Sequence, residues 1–171
     1  FLKSRKKDRP FFLFIHYFDP HYVFRDHGDY HFAGDYTGWL DPDEMRINNL
    51  LTHRHELGDE DIRHLLNLYD EEIAYTDVHI GRLLSWLEAE GLSETTGIFV
   101  VGDHGEEFME RGWIGHGITL HEEVIHVPML MALPSDNPLP SLVREPVETR
   151  NLFPTILDWT GAARGPDTGP S

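Results

Sequence analysis

Apolar and polar positions divide this chain into blocks of different period. Phe11-Phe-Leu-Phe-Ile15 is a continuous apolar run between Pro10 and a polar loop, which predicts a short strand buried on both faces. From Tyr22 to about Gly58 no period holds. Gly28, Gly34, Gly38 and Pro42 punctuate a polar, aromatic stretch that predicts a long irregular insertion, functional or mobile in character. Between Asp59 and Leu92 the spacing turns helical: Ile62, Leu65, Leu66, Tyr69, Ile73, Ile80, Leu83, Leu84 and Leu87 recur every three or four residues and line one face. Asp59, Glu60 and Asp61 at its start and Gly91 at its end suit the helix dipole and a left-handed C-terminal position. The pattern fits one long helix, or two with a break between Asp77 and Gly81.

Ile98 to Val101 predicts a second strand, and Val127 to Leu133 a third buried one that stops at Pro134. Ser135 to Pro146 reads as a Pro-rich loop. Asn151 to Trp159 predicts a short helix with Asn151 as its cap, Pro154 in its first turn and Gly161 as terminator. Residues 1–163 form the expected domain, and 164–171, rich in Gly and Pro, a flexible tail. Buried strands alternating with helices imply an α/β protein, a layered α/β/α arrangement around a largely parallel sheet. In such sheets ligands gather at the carboxyl ends of strands.

Composition narrows the partners. With 171 residues and 40% hydrophobic content, the chain is one domain or a piece of a larger one. The net charge of -16 argues against nucleic acid or an anionic membrane as partner, although an anion can still bind beside a local cation. Lys3, Arg5, Lys6, Lys7 and Arg9 read as a solvated basic linker. The absence of cysteine excludes disulfides, thiolate metal sites and a cysteine nucleophile within these residues. No run approaches the ~18 apolar residues of a membrane span. The chain opens mid-pattern without Met or a secretory leader, so upstream sequence is expected.

Chemistry concentrates where predicted strands end. After Val101 come Asp103, His104 and Gly105; a carboxylate and an imidazole side by side are costly to bury unless a metal ion offsets the charge, and both are metal ligands. The bland alternative is an Asp turn with a surface His. Twelve residues beyond His104 lies His116 between Gly115 and Gly117, placed to protonate a leaving group or bind an anion, or else exposed in a loop. The first strand runs into His16, Asp19, Pro20 and His21; His16 reads as structural, and His21 as a ligand of a second metal or of an anionic substrate. His53, His55, His64, His121 and His126 read as surface or interface residues, Glu106 and Glu107 as loop or supporting groups, and Asp77 as a local structural acceptor.

Four blocks carry a resemblance. Pro10 to His21 (PFFLFIHYFDPH), Tyr69 to Leu87 (YDEEIAYTDVHIGRLLSWL), Gly97 to Pro128 (GIFVVGDHGEEFMERGWIGHGITLHEEVIHVP) and Arg150 to Gly161 (RNLFPTILDWTG) resemble, in order, the sulfatase branch of the alkaline phosphatase superfamily. The resemblance implies a metal-dependent hydrolase of small anionic sulfate esters, in which Asp103 and His104 bind one divalent metal ion. Calcium is the family's usual ion, with manganese or zinc as alternatives. It also implies that His21 contacts the sulfate and that His116 assists the ester oxygen. Where many relatives have Glu-His-Gly this chain has Glu110-Arg111-Gly112, so Arg111 is the candidate for extra positive charge on the substrate. The family's nucleophile is a formylglycine made in a Cys/Ser-x-Pro-Ser-Arg motif. That motif and the family's amino-terminal paired aspartates are absent here, so both are expected upstream and the fragment alone is expected to be inactive. A periplasmic or secreted location accords with the family. Two readings stay open beside it. One is a phosphodiesterase, phosphonate monoester hydrolase or phosphoethanolamine-type transferase of the same superfamily; the other is a noncatalytic module with the fold only.

Overall fold

The computed structural model describes residues 2–32, 34–40, 47–134, 140–163 and 165. Its organising element is α2, Asp59–Ala89, one unbroken helix of 31 residues, preceded by the short α1, Ile47–His53. At the start of α2, Asp61 Oδ2 accepts the Gly58 N–H at 2.8 Å, which satisfies one amide that the helix leaves unpaired. At its end Gly91 adopts φ 66°, Leu92 N donates to Leu87 O at 2.9 Å, and Gly91 N donates to Glu88 O at 2.9 Å. That pair of bonds is a Schellman closure, and the positive φ is why glycine stands there.

The core gathers on the amino-terminal half of α2. Leu65 and Leu68 pack with Leu50 of α1, with Phe24 and Leu40 from the irregular segment, and with Phe108 and Ile114. The last two belong to β2 (Glu107–Phe108) and β3 (Ile114–Gly115), an antiparallel pair in which Phe108 faces Ile114. Phe24 meets Tyr69 and Phe108 ring to ring at 5.3 and 5.8 Å.

Two buried carboxylates on α2 tie the irregular segment down. Glu72 accepts the Arg25 N–H at 2.8 Å and the His27 ring at 2.8 Å, and Glu71 accepts the His27 N–H at 3.3 Å. His27 also stacks on Tyr75 with ring centroids 4.0 Å apart. Backbone amides of a loop lying on a helix need acceptors, and here glutamates supply them.

The second region is a ribbon of β1 (Ile98–Val101) and β4 (Met129–Ala132), paired antiparallel with Val101 opposite Met129. α4, Leu152–Thr160, covers one end through Trp159, whose indole lies 6.2 Å from the Phe99 ring and so close to Gly97 that any side chain there would collide with it. Gly161 at φ 67° closes α4 as expected. Asn151 does not cap it through its side chain; its carbonyl accepts the Thr155 hydroxyl at 2.7 Å.

Three expectations change. Phe11 to Ile15 is not a strand, and Phe12 and Phe14 are 73% and 77% exposed. The third strand is shorter than Val127 to Leu133, and all of it but Met129 is exposed. Every strand pairing among the described residues is antiparallel. An apolar run specifies length and hydrophobicity but not a partner, and without a neighbouring strand its backbone groups stay with water. Residues 135–139 of the Pro-rich loop, and the tail 164–171 apart from Gly165, lie outside the described residues. No helix among the described residues is long and apolar enough to cross a membrane.

Candidate active site

Each candidate histidine sits a few residues from a core anchor. His21 precedes Phe24, His104 precedes Phe108, and His116 follows Ile114. Burying the three anchors in one core therefore draws the three imidazoles together. His104 and His116 stack with centroids 3.9 Å apart, and His21 meets them edge-on at 6.2 and 5.2 Å. One nitrogen from each ring lies within 4.8 Å of the others, close enough for a shared metal ion. Asp103 stands beside them, its side chain 80% exposed and its Oδ2 3.9 Å from His104 Nε2. His16, by contrast, lies on the surface between the rings of Phe14 and Phe18.

Glycines make this geometry accessible. A Cβ on Gly105 would lie 2.1 Å from the Glu123 carbonyl oxygen, because the Asp103–Gly105 turn docks onto α3, Glu122–Ile125, with Gly105 N donating to Val124 O at 2.7 Å. Gly115 and Gly117 take φ 90° and 84°, so the backbone around His116 bends as few other residues could.

All three rings spend the same nitrogen on the protein. His21 Nδ1 donates to Tyr22 O at 2.9 Å and His104 Nδ1 to Gly105 O at 3.0 Å. A carbonyl only accepts, so these Nδ1 atoms carry a proton and Nε2 is left for other partners: its lone pair can meet a metal ion or, once protonated, it can donate to an anion. His116 Nδ1 lies 3.0 and 3.1 Å from the two oxygens of Glu106. A ring nitrogen held in this way is the usual support of a metal-binding or proton-transferring histidine.

Glu106 and Glu107, expected as loop or supporting groups, are buried and each holds a histidine ring. Burial lifts the Glu106 carboxyl from 4.5 to about 7, opposed by positive charge on His104 and His21 and aided by Glu107. Burial likewise lowers the affinity of His116 for its proton, with His104 and His21 adding to the effect. Burial and the Glu106 charge push the Tyr22 hydroxyl well above its ordinary range. Glu107, which opens β2, has a different set of partners. It accepts the Thr119 hydroxyl and, at 2.7 Å, His121 Nδ1. Burial would raise its pKa, yet these two hydrogen bonds outweigh it and hold the group below the usual carboxylate value. Residues 116–121 are thus pinned at His116, Thr119 and His121.

Arg111 pairs with Glu123, Nε to Oε2 at 3.2 Å. Glu107, His121 and Glu123 form a second group with metal-binding spacing, but its atoms are already engaged with Thr119, with one another and with Arg111. His121 and His64 are therefore not simple surface residues: the first is bonded to Glu107, and the second is buried and stacked on Tyr36 at 3.9 Å.

A histidine cluster of this kind can occur on many scaffolds, and the whole sequence decides among them. Residues 1–162 match the sulfatase family. The chain belongs to the sulfatase family. Among its relatives, iduronate 2-sulfatase of Mus musculus is 24% identical over 187 residues, covering 95% of this chain and 34% of the relative. The multifunctional alkaline phosphatase superfamily protein PehA of Trinickia caryophylli is 26% identical over 188 residues, covering 94% and 36%. Phosphoethanolamine transferase EptA of Salmonella typhimurium is 29% identical over 110 residues, covering 57% and 18%. This sulfatase sequence spans about a third of the length of the first two relatives. Membership brings the α/β fold class and the family's general use of a divalent metal, for which the three histidines offer candidate ligands.

Proposed function

We propose that residues 1–163 are the carboxyl-terminal portion of the catalytic domain of a metal-dependent sulfatase acting on small anionic sulfate esters. The observation that carries this reading is the convergence of His21, His104 and His116, each with Nδ1 engaged, beside Asp103. Asp103 and His104 would hold one divalent ion; a carboxylate and an imidazole suit manganese or zinc as well as the calcium usual in the family. When bound, the ion would supply positive charge opposite the oxygens of the transferring group. His21 binds the anion through Nε2, and His116 delivers a proton to the departing ester oxygen. Arg111, tied to Glu123, adds positive charge near the substrate. The nucleophile, a formylglycine, lies outside these residues, as does the rest of the metal shell and of a largely parallel α/β/α sheet. An exported protein fits this chemistry.

Resemblance to PehA and EptA supports a second reading, phosphoester hydrolysis or phosphoethanolamine transfer at the same residues. Rates of the full-length protein on 4-nitrophenyl sulfate and on bis(4-nitrophenyl) phosphate, with metal content by mass spectrometry, separate the readings. Faster sulfate turnover with one divalent ion that His104→Ala removes is the expected result. Faster phosphodiester turnover would install the second reading, and neither turnover nor metal would leave a noncatalytic module. The 171-residue chain by itself should turn over neither ester.

A further inference from the structure

Three histidines meet at the site, but they are held by different means. His21 and His104 each lean on the carbonyl of the next residue, a partner that comes with the turn itself. His116 stands between Gly115 and Gly117, both at positive φ, and is held differently. Its Nδ1 is held instead by a side chain ten residues earlier, Glu106, which offers both carboxylate oxygens at 3.0 and 3.1 Å. That carboxylate is 2% exposed, whereas His116 itself is 24% exposed. A buried carboxylate is costly where only packing is needed, since an apolar side chain would fill the same space.

We propose that Glu106 is a positioning residue that fixes the tautomer and orientation of His116, so that Nε2 and not Nδ1 faces the substrate. A carboxylate acceptor makes a stronger bond than a carbonyl and suits the ring with the least backbone support. The inference rests on the reading of His116 as the proton donor to the ester oxygen: the imidazolium gives up its Nε2 proton, and the Nδ1 proton stays in the bond to Glu106. It adds the residue without which that nitrogen is not presented. Glu106 touches neither substrate nor ion in this scheme.

The test uses the full-length protein and two esters. Phenyl sulfate has a leaving oxygen that needs a proton; 4-nitrophenyl sulfate has one that departs as the anion. Glu106→Leu should lower kcat on phenyl sulfate by about 10- to 100-fold with KM within about twofold, and should change 4-nitrophenyl sulfate turnover less than about threefold. Glu106→Gln, which keeps a neutral acceptor, should restore much of the loss. In a His116→Ala background Glu106→Leu should cost nothing further. Equal losses on both esters, or an additive loss in that background, would overturn the proposal. Nitrogen-15 spectra of His116 read the same lock without turnover: in the wild-type protein the proton should sit on Nδ1, and a proton on Nε2 alone would overturn it even if Glu106→Leu failed to fold. Should the protein hydrolyse neither ester, the sulfatase reading fails, and these spectra still decide whether Glu106 sets the tautomer.

Discussion

Leu65 and Phe12 are both large apolar residues in segments predicted to be buried, and they end in opposite places: Leu65 is 1% exposed and Phe12 73%. The regions around them differ in how they satisfy their backbones. The Leu65 region is built on α2, which makes its own hydrogen bonds, and on loops closed by glutamates at Glu71, Glu72, Glu106 and Glu107. The Phe12 segment, which forms no strand, and the β1–β4 ribbon have no such self-contained bonding, since strands depend on neighbours that a helix does not need. Their apolar faces stay open, with Leu130 60% and Met131 41% exposed. The candidate site hangs from the first region, which explains why its histidines are ordered beside a ribbon that is largely uncovered.

Substitutions can break this contrast at several strengths. The largest effect should come from the core beneath the site. Leu65→Ala should cost about 3 kcal/mol, whereas Leu130→Ala on the ribbon should cost less than about 0.5 kcal/mol, both measured by urea unfolding of this chain. Comparable costs would mean that the ribbon is covered in solution.

Next comes the joint between the regions. Gly105→Ala would push a methyl group into the Glu123 carbonyl, so it should cost about 1–3 kcal/mol and weaken divalent-ion binding in calorimetric titration. An alanine variant that binds metal like the wild type would show that the turn docks elsewhere.

The Glu107 network gives a smaller, pH-dependent effect. Glu107 is held below its ordinary value of 4.5, so the folded state binds fewer protons than the unfolded chain in that range. Its stabilisation is complete above about pH 4.5 and fades as the pH falls through the lower folded value. Glu107→Gln should lose about 1 kcal/mol at neutral pH and should lack that acid-dependent portion. Melting curves between roughly pH 3 and 7 read the difference; identical acid profiles would contradict the network.

The smallest change should be a gain. Gly81 lies inside α2 with open space where a methyl group would stand, so Gly81→Ala should stabilise by about 0.5–1 kcal/mol in thermal unfolding. A loss would reveal a packing partner on that part of the helix.

The buried glutamates had a signal that periodicity could have caught. Leu65, Leu68 and Glu72 follow one another at helical spacing, so Glu72 occupies a place on the apolar stripe where a leucine would be expected. A carboxylate there implies a partner, and His27 and Arg25 provide it. Glu106 had no comparable signal, because its partner lies across a hairpin whose register depends on Phe108 meeting Ile114.

What this sequence determined by itself is local. The span and closure of α2, the glycines that free the turns at Gly105 and His116, and the residue types able to bind a metal or an anion follow from periodicity, backbone sterics and donor chemistry within a few residues. Tertiary structure alone decided which strands pair, which carboxylates are buried and which nitrogen of each histidine remains for chemistry. Those outcomes depend on how segments meet in the folded chain, and spacing along the sequence does not encode them.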